Sequence, residues 1–241
     1  EKNTMKKILS ALLCTMLLLA TAGCGSMTNT QKGAAIGGGG GAALGAGIGA
    51  LIGKGKGAAI GGVIGTAVGA TAGVLIGKKM DKAKAQAEAI ENAQVESVTD
   101  ANGLQAVKVT FDSGILFATG SSTLQAAAKN SLSEFANNVL KQNADMDVAI
   151  KGYTDNAGWK GCTAEQSAAK NEALSLQRAQ SVSTYLTNMG VSTSQIKSIE
   201  GLGEANPVAD NSTAAGKQQN RRVEVYLYAS EAMINAANSG T

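Results

Sequence analysis

Three short runs of the chain carry charged side chains that could bind one small zwitterion. They are Gly152-Tyr153-Thr154-Asp155, Leu174-Ser175-Leu176-Gln177-Arg178-Ala179 and Asn220-Arg221-Arg222-Val223-Glu224. A carboxylate such as that of Asp155 pairs with an ammonium group, and the planar guanidinium of Arg178 can hold a carboxylate through two parallel hydrogen bonds. Taken alone, Thr-Asp-Asn is also a good Asx turn, and a lone helix arginine is usually solvated. The joint pattern of the three runs favours a binding site.

Alternating apolar residues predict the strands that would position these runs. The segments 107–111 and 146–150 alternate as strands do, and 196–202 and 222–228 predict two more. With the helices between them the order is β-α-β-α-β-β, which predicts an α+β fold with helices on one face of a sheet. The three runs then lie at a strand end, within the second helix and at the start of the last strand.

Capping signals predict where the two helices begin and end. Ser122 with Gln125, and Thr163 with Gln166, have the spacing of capping boxes. Gly190 supplies the glycine expected just past the end of the second helix.

These runs, together with Glu204-Ala205-Asn206-Pro207-Val208, resemble the peptidoglycan-binding OmpA-like domain over about residues 105–228. In that family an aspartate in a Gly-x-Thr-Asp run binds the ammonium of meso-diaminopimelate in the peptidoglycan stem. An arginine in a Leu-Ser-x-x-Arg helix binds its carboxylate. The resemblance assigns these roles to Asp155 and Arg178. It implies that further residues shape the pocket, namely Thr154, Asn171, Leu174, Ser175 and Phe117.

Two arginines have more than one possible role, and a loop and one residue differ from the usual pattern of the family. Arg221 and Arg222 are assigned mainly to structural pairing, with the alternative that one of them lines the site. The loop 156–170 is longer than is usual in the family and could lie over the pocket or change which stem peptide fits. Ala118 stands where many members carry an aspartate, so one polar contact of the family is expected to be missing.

Composition excludes several classes of function. The 241 residues include no histidine, which removes histidine base catalysis and histidine metal ligation. No nucleophile–base pair or metal set can be assembled, so the sequence predicts neither an enzyme nor a cofactor. The formal net charge is only +3, and the sequence contains no basic stripe with interleaved aromatic residues. The sequence therefore predicts no nucleic-acid partner.

The first residues have the order of a lipoprotein signal. Met5-Lys6-Lys7 precedes an apolar run that ends in Thr21-Ala22-Gly23-Cys24, which resembles a lipobox. We expect Cys24 to be lipidated and the chain to be held in the outer membrane, with its C-terminal domain in the periplasm. An ordinary cleaved signal with an incidental cysteine is the alternative. If Cys14 leaves with the leader and Cys24 carries lipid, Cys162 is a free thiol with no second cysteine for an intramolecular disulfide.

Glycine recurs at every fourth residue from Gly33 to Gly77, at twelve positions. The sequence of this glycine ladder is an internal duplication, in which residues 56–79 repeat the pattern of residues 32–55. Each copy has an uncharged stretch about as long as a membrane-spanning helix, and small residues at this spacing let helices pack closely in lipid. The ladder predicts a glycine-zipper membrane hairpin that packs on itself or forms a homo-oligomer. A flexible spacer is the alternative.

The leading hypothesis is a lipoprotein that tethers the outer membrane to peptidoglycan without covalent bonds. The alternative is a glycine-zipper membrane oligomer or envelope assembly factor for which wall binding is secondary. Met80–Val98 is expected to be a solvated helix. The predicted divisions are a signal peptide at 1–23, a lipidated tether at 24–31, the hairpin at 32–79, a helical linker at 80–103, the OmpA-like domain at 104–229 and a tail at 230–241.

Overall fold

A computed structural model describes residues 68–100 and 102–240. The expected signal peptide, the lipidated Cys24 and most of the glycine ladder lie outside the described residues. Within the described ranges, no helix is both long enough and apolar enough to cross a membrane.

The structure is an α+β fold built on one five-stranded sheet. The helices are α1 (Ala70–Glu88), α2 (Ser113–Leu116), α3 (Ala126–Phe135), α4 (Ala164–Asn188), α5 (Ala214–Asn220) and α6 (Glu231–Ser239). The strands are β1 (Ala93–Thr99), β2 (Gln105–Asp112), β3 (Met146–Gly152), β4 (Ile196–Gly201) and β5 (Arg222–Ala229). The spatial order of the strands is β1-β2-β5-β3-β4. All pairs are antiparallel except β3 with β4. The predicted β-α-β-α-β-β order is present, with α1, β1 and α6 added at its ends and the short helices α2 and α5 added within it.

The helices lie on one face of the sheet, as expected for two layers. Val223, Val225 and Leu227 of β5 are buried in the same core as side chains from α1, α3, α4 and α6. Phe111 of β2 and Phe135 of α3 pack edge to face there, with ring centroids 5.5 Å apart. This layer fixes the sheet against α4, the helix that carries Arg178.

The predicted helical linker 80–103 and the solvated helix Met80–Val98 are wrong. Helix α1 begins inside the second glycine repeat, ends at Glu88 and is followed by strand β1, which pairs with β2. The helix is not solvated on all sides, because Ala72, Ile76 and Met80 are buried at helical spacing. The small side chains of α1 give only a weak apolar pattern in the sequence, but they form a continuous buried face against the sheet.

The segment predicted as a tail also holds a helix. Helix α6 begins at the cap residue Ser230, whose hydroxyl accepts a hydrogen bond from the Met233 N–H at 3.1 Å. Met233 and Ile234 are buried in the main core, and α6 packs against α1. Both ends of the described chain therefore contribute to one core.

One of the two predicted capping boxes is confirmed. Thr163 and Gln166 form the full reciprocal box at the start of α4. Gly190 follows the end of α4 with φ of +90°, a conformation that favours glycine. The predicted box of Ser122 and Gln125 is wrong, since α3 begins after Gln125 and the Gln125 amide donates to the Gly114 carbonyl oxygen instead.

Candidate functional site

Two glycines bring α4 very close to the ends of β3 and β4. A Cβ atom on Gly152 would lie 2.1 Å from the Ser175 carbonyl oxygen, and one on Gly201 would lie 2.4 Å from the Leu176 backbone nitrogen. A side chain at either position would push the helix away. The glycine of the Gly-Tyr-Thr-Asp run is therefore required by packing, and this packing sets Arg178 beside the loop that follows β3.

The site is a cavity of about 650 Å³ at this junction. Both charged residues singled out in the sequence, Asp155 and Arg178, border it. The other expected residues that border it are Thr154, Asn171, Leu174 and Phe117. Arg221, Trp159 and Lys160 border it as well. The cavity thus combines cationic, anionic and apolar lining, which suits a small molecule with two opposite charges.

The carboxylate of Asp155 is held from two sides. Its Oδ1 accepts a hydrogen bond from the Ala157 N–H at 3.1 Å, which is an Asx turn. Its Oδ2 lies 2.5 Å from Nη1 of Arg221. Arg221 also donates to Gln218, whose amide in turn donates to the Asp112 carboxylate at 2.6 Å. Asp155 therefore stabilises the loop through its Asx turn and at the same time borders the cavity, so a structural role does not exclude a binding role.

Arg178 is 3% exposed and offers its guanidinium to the cavity. Its Nε donates to the Ser121 carbonyl oxygen at 3.0 Å, and its guanidinium carbon lies 5.3 Å from the centroid of the Phe117 ring. Burial lowers the pKa of Arg178, and the charge of Arg221 lowers it further, while Asp155 acts in the opposite direction. Among the described residues, no hydrogen bond reaches its two terminal nitrogens, which leaves them available to an anion.

Thr154 has an unusual hydroxyl group. Its backbone N–H donates to the Gly203 carbonyl oxygen at 2.7 Å, while Oγ1 is buried and finds no hydrogen-bond partner in the described part of the chain. Buried polar atoms are rarely left unsatisfied. Since Thr154 borders the cavity, its hydroxyl is positioned to bond to a ligand.

Asn171 and Ser175 hold loops. The Asn171 amide donates to the Ala157 carbonyl oxygen at 3.1 Å and accepts from Nε1 of Trp159 at 2.7 Å. Ser175 does not border the cavity. Its Oγ accepts from the Gly203 N–H at 2.9 Å and donates to the Glu172 carbonyl oxygen. Ser175 therefore fixes the loop after β4 and does not form part of the cavity lining in which it was expected.

The two adjacent arginines at the start of β5 have different surroundings. Arg221 lines the site, which was the alternative left open by the sequence. Arg222 is buried, donates to Glu224 at 2.7 Å and lies 3.8 Å from the centroid of the Tyr153 ring. Burial acts to raise the pKa of Glu224, but Arg222 and the Tyr226 hydroxyl outweigh it, so that pKa is lowered. The Arg222 group pairs structurally on the sheet face opposite the main core.

Sequence reasoning missed the contribution of Arg221 to the Asp155 environment. The signal present was the basic pair before β5, but the contact depends on strand register. Strands β3 and β5 run antiparallel with Gly152 opposite Val223, so the residues after β3 meet those before β5.

Comparisons with known proteins match two parts of the chain. Residues 116–221 match the OmpA family, and residues 5–81 match the YMGG-like Gly-zipper family. The OmpA-family match begins after β2 and ends just before β5, and the Gly-zipper match extends into α1. The five-stranded domain also resembles the crystal structure of a putative MotB-like protein from Desulfovibrio vulgaris. That likeness has a TM-score of 0.53 and 22% identity, and it covers 64% of this chain and 93% of the other.

Three curated relatives are similar to part of the chain. Probable lipoprotein YiaD of Escherichia coli is 45% identical over 119 residues, which is 49% of this chain and 47% of that protein. Outer-membrane lipoprotein YfiB of Pseudomonas aeruginosa is 35% identical, over 48% of this chain and 62% of that protein. Peptidoglycan-binding protein ArfA of Mycobacterium tuberculosis is 43% identical, over 36% of this chain and 24% of that protein.

The chain thus spans less than two thirds of each of these relatives. The OmpA-family match at residues 116–221 includes β3, β4 and α4, and with them Asp155 and Arg178. Residues 116–221 are therefore similar to the OmpA family, and residues 5–81 are similar to the YMGG-like Gly-zipper family.

Proposed function

We propose that the chain binds peptidoglycan non-covalently and tethers the outer membrane to the cell wall. The observation that carries the proposal is that Asp155 and Arg178, from separate runs of the sequence, border one cavity. The proposed ligand is the free amino-acid end of meso-diaminopimelate in the stem peptide. This end carries one ammonium and one carboxylate on a single carbon atom. The activity is binding, with no reaction.

The lining of the cavity is complementary to that ligand. The Asp155 oxygens each retain acceptor capacity beyond the bonds to Ala157 and Arg221, because a carboxylate has about four lone-pair sites. An ammonium group can therefore share the carboxylate with Arg221. The terminal nitrogens of Arg178 take the ligand carboxylate, and a charge-assisted bond of this kind is stronger than a neutral one. The Thr154 hydroxyl supplies a further polar contact.

The relatives support an envelope role. One is named as peptidoglycan-binding, and two are named as lipoproteins, one of them in the outer membrane. We infer that this chain is anchored by lipid on Cys24, with the cavity in the periplasm. Each contact with the wall would be weak, but many anchored copies near one polymer would hold it firmly.

The test is retention by purified sacculi of the full chain in detergent. The wild type is compared with Asp155→Ala and Arg178→Ala. Matched controls are Glu134→Ala, an exposed carboxylate on α3, and Gln177→Ala, the exposed neighbour of Arg178 on the same helix. Retention should be lost in the two site variants and kept in the two controls. Thermal unfolding of each variant separates loss of binding from loss of fold.

Equal retention of the wild type and of folded site variants would reject the proposal. A second comparison tests the ligand. Sacculi whose stem peptides carry lysine in place of diaminopimelate lack the side-chain carboxylate, so retention should fall strongly on them. Undiminished retention on such sacculi would reject the diaminopimelate assignment but not wall binding.

A second candidate, assembly through the glycine ladder, is favoured by the YMGG-like Gly-zipper match at residues 5–81. In this proposal copies of the chain pack through the ladder in the membrane, and wall binding is secondary. Cross-linking in membranes with and without Gly→Leu changes in the ladder tests it. Loss of cross-linked species with unchanged retention by sacculi would separate assembly from tethering.

A further inference from the structure

The loop 156–163, which follows Asp155, supplies the cavity with an aromatic side chain. Trp159 borders the cavity next to Gly158 and Lys160. The sequence carries only one tryptophan, and it lies in the loop between β3 and α4. An indole at the border of a charged site offers a large rigid surface to a ligand.

The indole is fixed in place by contacts with α4. Its Nε1 donates to Asn171 Oδ1 at 2.7 Å, and the Trp159 backbone N–H donates to Ser167 Oγ at 3.0 Å. The ammonium of Lys170 lies 5.5 Å from the ring centroid, within cation–π range. Because the protein already satisfies the one polar atom of the indole, what the ring presents to the cavity is carbon surface.

The charged residues alone do not select one amino acid. Asp155 and Arg178 recognise an ammonium and a carboxylate on one carbon, and every free amino acid carries that pair. Selection must therefore come from the lining that meets the rest of the ligand. Leu174 and Trp159 supply apolar lining in the same cavity, and the volume of about 650 Å³ exceeds what a charged head group fills.

We propose that Trp159 is a specificity-determining residue that packs against the methylene chain of the bound diamino acid. It thereby selects an amino acid with a long side chain over one that has only the charged head. The inference rests on the proposed function, since it concerns the same site and the same ligand.

The test uses two probes with the same D-amino-acid head. D-norleucine carries an unbranched four-carbon side chain, and D-alanine carries one methyl group. Each is added to the full chain bound to sacculi, and the concentration that releases half of the protein is measured. Burial of the extra methylene groups should make D-norleucine more potent than D-alanine, by about tenfold or more for wild type.

The variants are Trp159→Ala, Trp159→Phe and Ser167→Ala. Trp159→Ala should reduce the potency ratio of the two probes to within about twofold, because the packing surface is gone. Trp159→Phe keeps an aromatic surface and should retain a ratio within about threefold of wild type. Ser167→Ala loosens the loop without changing the ring, so the ratio should stay near the wild-type value.

The ratio separates selection from a merely structural role. If Trp159 only held the loop, its removal would weaken both probes alike and the ratio would survive, which would overturn the inference. A wild-type ratio near one would overturn it as well. Failure of the proposed function is recognised separately, because wild type would then not be retained by sacculi at all.

Discussion

The guanidinium of Arg221 lies 2.5 Å from the carboxylate of Asp155, across the junction between the loop after β3 and the start of β5. This ion pair joins the motif that carries the anion of the site to the motif that begins the last strand. Arg178 and Arg221 border the same cavity as Asp155, so two guanidinium groups share this cavity with the carboxylate. The pair therefore has a structural role, and under the proposed function it also orients the carboxylate that binds the ligand.

The first prediction concerns the energy of this pair. Asp155→Asn and Arg221→Gln should each destabilise the fold, and the double variant should lose less than the sum of the two. Because both partners are largely buried, with 10% and 32% of their side chains exposed, we expect a coupling energy of about 1–2 kcal/mol. Urea unfolding of the four proteins measures it. Additive losses would mean that the pair contributes nothing beyond its separate contacts.

The second prediction separates stability from binding at Thr154. Its buried hydroxyl has no partner in the described ranges, so Thr154→Val should raise the free energy of unfolding by about 1 kcal/mol. The same change should weaken retention by sacculi roughly fivefold, since the ligand loses a hydrogen bond. Thr119→Val is the matched control, because Thr119 also borders the cavity but is exposed. A less stable Thr154→Val protein would contradict the prediction.

The third prediction concerns the glycine of the Gly-Tyr-Thr-Asp run. Gly152→Ala forces a Cβ atom to within 2.1 Å of the Ser175 carbonyl oxygen, so β3 and α4 must separate. We expect a loss of about 3 kcal/mol or failure to fold. Gly158→Ala meets only Ser167 Oγ at 3.8 Å and should be tolerated. Thermal unfolding compares the two, and equal melting temperatures would refute the packing argument.

The fourth prediction concerns α1, which was expected to lie outside the domain. Ile76 is 1% exposed and its neighbour Leu75 is 39% exposed. Ile76→Ala should cost about 2–5 kcal/mol, whereas Leu75→Ala should be nearly neutral. A fragment that begins at residue 100 lacks α1 and β1 and should not unfold cooperatively. Wild-type stability in that fragment would show that α1 is dispensable.

The fifth prediction is a pH dependence that arises from Asp100. Burial raises the pKa of Asp100 from 3.8 to about 6, although N–H groups of Leu104 and Asn102 act to lower it. The folded state therefore holds this proton more tightly than the unfolded state. The stabilisation is full below pH 3.8 and is lost as the pH rises through 6. Its size is about 3 kcal/mol.

Asp100→Asn removes this titration. Its free energy of unfolding should change less between pH 4 and pH 6.5 than that of wild type, as followed by urea denaturation at each pH. Glu91→Gln, a change at an exposed carboxylate, should keep the wild-type dependence. If Asp100→Asn and wild type keep parallel profiles, another group must be responsible for any slope.

Elements with strong local signals were predictable from the sequence. Helix α4 has a complete capping box at Thr163 and a glycine at position 190, and both are as expected. The strands β2, β3 and β5 follow apolar alternation. The convergence of Asp155 and Arg178 on one cavity followed from the joint motif, because each residue lies at a fixed place in a strand–helix unit.

Features that depend on docking were not predictable. The buried face of α1 is mostly alanine and glycine, so its sequence differs little from that of a solvated helix. Strand β1 has polar residues at four of its seven positions, so its strand conformation depends on pairing with β2. The contact between Asp155 and Arg221 spans 66 positions in sequence and depends on the register of β3 with β5.

Helix α1 contains Gly73 and Gly77, the last two steps of the glycine ladder, and both are buried within the folded domain. These two glycines therefore belong to the folded domain as well as to the ladder. A bulky side chain at either position would disturb the packing of α1. A Gly→Leu change there would accordingly alter folding together with any assembly through the ladder.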